Sequence, residues 1–83
     1  MPSPANSPIT VLIGRNLDRA IRDAGLTNRA VGEMIGATEH QVWRWRKGHK
    51  QPSDHYLMAL AAKLFDGDLQ ALYADSPDRK AAA

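Results

Sequence analysis

Cysteine is absent from these 83 residues, which excludes disulfides and thiolate metal sites and makes a reducing cytoplasm the expected setting. No apolar stretch approaches the ~20 residues of a membrane-spanning helix. The run from Val11 to Ile13 is too short for the core of a secretory signal, and no positive segment precedes it. Valine and isoleucine nowhere alternate with polar residues over a strand's length, so no strand is expected. Glycine-rich phosphate loops and serine elbows are missing as well. The three histidines, His40, His49 and His55, lack the helical two-histidine spacing with glutamate that marks zinc proteases. The expectation is therefore a non-enzyme that carries neither metal nor cofactor.

What is present is helical signal, enough for one small domain. Ile13, Leu17, Ala20 and Ile21 recur at three- and four-residue spacing, and Gly25 closes that first helix. Gly14 lies inside it and costs about 1 kcal/mol relative to alanine, which predicts a weak first turn. Thr27 can cap a second helix that carries Val31 and Ile35 on one face and stops at Gly36. Thr38 with Gln41 fits a capping box that opens a third helix, over about 38–47, ending at Gly48. Pro52 and Ser53 break and restart the chain ahead of a fourth helix with the apolar stripe Leu57, Leu60, Ala61 and Leu64. Asp68 can cap a short fifth helix holding Leu69, Leu72 and Tyr73. The expected fold is all-α, a compact bundle of about five short helices spanning 9–75. A flexible arm over 1–8, rich in proline and serine, precedes it, and a frayed tail over 76–83 follows.

Charge is uneven along the chain. Residues 28–50 carry five basic and two acidic groups, a net +3, against +1 before them and −2 after them. Arg44, Arg46, Lys47 and Lys50 fall within seven residues of one another. Such a cluster suits a phosphate-binding patch; cations at a helix C-terminus are also favoured by the dipole alone.

Helices two and three meet the requirements of a tight helix pair. Gly32 is small where the helices cross, and Gly36 tolerates positive φ in the turn. Val31, Ile35, Ala37, Val42 and Trp45 supply apolar residues for the core side. This is the spacing of the DNA-binding helix-turn-helix, although other αα-hairpins also have a glycine turn and apolar faces. The likeness extends further. Leu26-Thr27, Val31-Gly32-Glu33, Ile35-Gly36, Val42, Arg44-Trp45, Gly48, Pro52-Ser53, Leu57 and Leu60-Ala61 resemble the lambda-repressor-like, Cro/CI-type helix-turn-helix family over roughly residues 13–72. The segment from Trp45 to Ser53 is the most specific part of the resemblance. Arg46 departs from it, standing where the family usually has glutamate, and the connection from Phe65 to Asp68 is slightly long; neither departure is expected to touch the helix pair.

The resemblance implies a sequence-specific double-stranded DNA binder, a transcriptional regulator of Cro size from a phage or mobile element, with helix three in the major groove. Val42 and Trp45 define its buried face, so His40, Trp43, Arg44 and Lys47 lie opposite, with Glu39 at the N-terminal edge. By family analogy Glu39, His40 and Arg44 read bases. Arg44 can fork onto guanine or bind phosphate, and Glu39 can accept from cytosine N4 or simply suit the helix dipole. His40 can contact base or phosphate, and Trp43 can pack on a thymine methyl or sugar or cover a neighbouring helix. Phosphate contacts are expected from Thr27, Asn28 and Arg29 at the start of helix two, and from Lys47, His49 and Lys50 after helix three; Arg15 and Arg19 are weaker candidates. Phe65, Leu69, Leu72 and Tyr73 offer a surface for a weak homodimer, formed on DNA. An antitoxin-type interaction module and an excision or architectural DNA-binding factor are the alternative readings.

Overall fold

The computed structural model describes residues 7–74, and among them the chain is all-helical, with no strand. Four α-helices, α1 (Pro8–Asp23), α2 (Asn28–Ile35), α3 (Glu39–Arg46) and α4 (Asp54–Leu64), are followed by a 3₁₀ helix at Leu69–Tyr73. Their apolar faces converge on one core. Ile13, Leu17 and Ile21 of α1, Val31 of α2, Val42 of α3, Leu60 of α4 and Leu72 of the 3₁₀ helix are all fully buried. Each such side chain contributes roughly 1.5–3 kcal/mol of burial.

The helix boundaries follow from side chains that satisfy free N–H groups. Thr27 accepts from the N–H of Ala30 (3.0 Å) at the start of α2. At α3 the capping box closes in both directions: Gln41 N donates to Thr38 Oγ1 (3.1 Å), and Thr38 N donates to Gln41 Oε1 (3.0 Å). Asp68 accepts from Gln70 N (3.1 Å) and opens the last element, which winds as 3₁₀ rather than α.

Two expectations about α1 are corrected. Ser7 and Pro8, assigned to a flexible arm, are its cap and first residue; Thr10 N donates to Ser7 Oγ (3.2 Å). The rest of that arm, with Asp75 and the 76–83 tail, lies outside the described residues. Gly14 does not mark a weak first turn either. It is buried in mid-helix, and a Cβ placed there would lie 2.5 Å from the backbone oxygen of Trp45. Glycine is what lets α1 lie directly on α3. Gly32 serves a similar purpose: a Cβ there would lie 2.5 Å from Ala37 O, so the small residue makes room for the turn between α2 and α3. That turn is tight because both Gly36 N and Ala37 N donate to Gly32 O (2.8 Å each), with Gly36 at φ 81°.

Buried polar groups tie the elements together. Asn16 of α1 donates through Nδ2 to the carbonyls of Leu72 (2.8 Å) and Ala74 (2.9 Å), which fixes the end of the 3₁₀ helix against the first helix. Leu72 is thereby part of the core, and it leaves the surface on which a homodimer contact was expected.

Candidate nucleic-acid interface

Helix α3 is seated by two buried side chains and one arginine. Val42 is fully buried and Trp45 is 2% exposed, its ring 5.0 Å from that of Tyr56 on α4. Arg46 was not expected to touch the helix pair, but it does. Its Nε and Nη2 both reach Asp18 Oδ1 of α1 (2.8 and 2.7 Å), and its Nη1 donates to Asn28 Oδ1 of α2 (2.6 Å). With its side chain only 17% exposed, Arg46 is a fastener between three helices and is not available as a surface cation. Asp18 is shared with Arg22 (3.1 Å) on the same helix.

With Val42, Trp45 and Arg46 turned inward and Gln41 engaged in the cap, the outer side of α3 is left to Glu39, His40, Trp43 and Arg44, with Lys47 just past its end. Glu39, His40, Trp43 and Lys47 are exposed, and Arg44 is half-buried at the margin. The four residues expected to read bases therefore share one side of α3. They divide into two depressions. One is lined by Asn28, Glu39, His40 and Trp43. The other holds Arg44 with Gln41, Lys50 and Gln51.

Trp43 is 39% exposed, unusually open for so large an apolar ring, and it is held in place by its neighbours. His40 stacks on it with ring centroids 5.7 Å apart and planes 15° from parallel. His49 meets it edge-on at 5.4 Å. His49 can do so because the chain doubles back after α3: Gly48 sits at φ 75°, and His49 N donates to Arg44 O (3.0 Å). Sequence reasoning named all three rings, but without the turn at Gly48 it could not bring His49 back to helix α3.

The residues expected on phosphate flank this surface unevenly. Thr27 and Arg29 are exposed at the start of α2, Arg29 loosely paired with Glu33 (3.6 Å). Lys47, His49 and Lys50 are exposed beyond α3. Asn28 is half-buried with its carbonyl oxygen committed to Arg46, so only its amide N–H groups remain to donate outward. On α1, Arg15 is exposed, whereas Arg19 donates to Asn16 Oδ1 (3.2 Å). Among the described residues no cluster of three or more His, Asp or Glu side chains could hold a metal ion, and no helix is long and apolar enough to cross a membrane. Comparison with family models, with curated proteins and with solved structures finds no match to this chain.

Proposed function

We propose that this chain binds double-stranded DNA in a sequence-dependent way, inserting α3 into the major groove as a small transcriptional regulator of the Cro type. The observation that carries the reading is the division of α3. Its inner side is committed to Val42, Trp45 and Arg46, and its outer side presents Glu39, His40, Trp43 and Arg44 to one surface. These residue types can donate, accept and make apolar contact, which is what distinguishing base pairs in the major groove demands. Exposed cations near α3, Arg29 at the start of α2 and Lys47 and Lys50 beyond α3, support the reading, since phosphate contacts would fix its register. In this reading Thr27, Asn28, Arg29, Lys47, His49 and Lys50 set the register, and Glu39, His40, Trp43 and Arg44 discriminate.

The test is selection of bound sequences from a random duplex pool, followed by bandshift of the selected duplex against random duplex across a salt series. The expected result is a selected site bound at least a thousandfold more tightly than random DNA. Equal affinity for both would leave an architectural role. No binding to either would favour an interaction module that holds a protein partner.

A further inference from the structure

We propose that the depression beside Trp43 reads the C5 methyl group of a pyrimidine, and that Glu39 makes it prefer 5-methylcytosine to thymine. This rests on the reading of α3 as the helix that enters the major groove. The core already has its tryptophan in Trp45, so Trp43 is not needed there. It stands open on the outer side of α3, braced by His40 across its face and by His49 at its edge. A ring braced from two sides loses little freedom on binding, which favours a contact that depends on close fit. The indole of Trp43, with His40 stacked on it, offers an apolar surface beside polar neighbours, and the apolar group that a pyrimidine presents in the major groove is the methyl at C5.

Glu39 then discriminates between the two pyrimidines that carry this methyl. It lines the same depression, and no hydrogen bond or ion pair engages its carboxylate among the described residues. A carboxylate only accepts hydrogen bonds. Next to its methyl, 5-methylcytosine offers the N4 amine, a donor, whereas thymine offers O4, an acceptor that the carboxylate opposes. The amide N–H groups of Asn28 complete the lining and can hold the adjacent phosphate or Glu39 itself. A donor beside a methyl is therefore the edge that matches Glu39 beside Trp43.

The experiment uses the full chain and its selected duplex. At every cytosine of the site 5-methylcytosine is introduced, and at every thymine deoxyuridine or 5-methylcytosine paired with guanine. The expected result is a position in the selected site where adding the methyl to cytosine tightens binding about fourfold, the equivalent of burying one methylene. At that position 5-methylcytosine should also exceed thymine. Trp43→Ala should weaken binding to both duplexes and abolish the methyl effect, so that methylated and unmethylated sites bind alike, and Glu39→Gln should narrow the gap between 5-methylcytosine and thymine. Circular dichroism melts of both variants should match wild type, as the exposure of both side chains predicts. A selected duplex indifferent to every methyl, or a methyl effect that survives Trp43→Ala, overturns the inference and leaves DNA reading intact. Failure to bind any duplex removes both.

Discussion

A methyl group added at Gly14 sets two effects of opposite sign against each other. Helix propensity favours alanine there by about 1 kcal/mol, but the new Cβ would sit 2.5 Å from the Trp45 carbonyl, a backbone atom that cannot swing aside. The clash wins, because moving α3 off α1 disturbs the core: Gly14→Ala is expected to destabilise by about 1–3 kcal/mol. For a domain of this size each kcal/mol lowers the melting midpoint by roughly 4–8 °C; an unchanged or raised midpoint would contradict the contact. Val42→Asp, which places an unpaired charge at a fully buried position, should cost several kcal/mol, and melting like wild type would contradict its burial. On the outer surface, residues separate by what they are proposed to touch. Lys50→Ala should weaken binding to all duplexes alike and lower the salt slope by about one unit. Arg44→Ala should instead relax preference at one base pair, by about 1–3 kcal/mol; equal weakening on specific and random DNA would contradict a base contact.

At the scale of the element, α3 is eight residues long, too short to hold its own conformation in water, so its placement depends on what fastens it. Arg46 does much of this by joining Asp18 and Asn28. Arg46→Met should destabilise by about 1–3 kcal/mol, and a double-mutant cycle with Asp18→Asn should give a coupling energy of at least about 0.5 kcal/mol. Additive single effects in denaturant titrations would show that the pair does not interact. This fastener also marks how far the sequence was legible. The caps at Thr27, Thr38 and Asp68 and the buried stripes of all four α-helices could be read directly, because each depends on residues two to four apart. Arg46 could not, since its partners lie 28 and 18 residues away and a lone arginine in a basic cluster reads as surface charge. Gly14 was misread for the same reason: its cost is local, whereas the approach it permits is tertiary. Of the candidate site, the outer side of α3 was legible by counting 100° per residue, while the return of His49 to Trp43 was not.

At the scale of the whole molecule, α3 in the proposed reading would span only a few base pairs, and proteins that read DNA in this way commonly act as pairs on half-sites one DNA turn apart. With Leu72 buried, Leu69 and Tyr73 stay exposed among the described residues of that region, beside a half-buried Phe65. That is little area for a stable dimer. The expected behaviour is a monomer by sedimentation at micromolar concentration and two copies on a pseudo-palindromic site. Saturation at one copy on a site without symmetry would contradict the pairing. The contact between Asn16 and the carbonyls of Leu72 and Ala74 has a consequence of another kind. These groups are separated by more than fifty residues, so during synthesis the first helix leaves the ribosome long before the segment that satisfies Asn16 and completes the core over Ile13 and Leu17. At about 5–20 residues per second, the nascent chain spends seconds with that apolar stripe incompletely covered. The Asn16 contact and the burial of Leu72 can form only once Ala74 has cleared the exit tunnel, so a ribosome stalled before that point would display a chain lacking this part of its core.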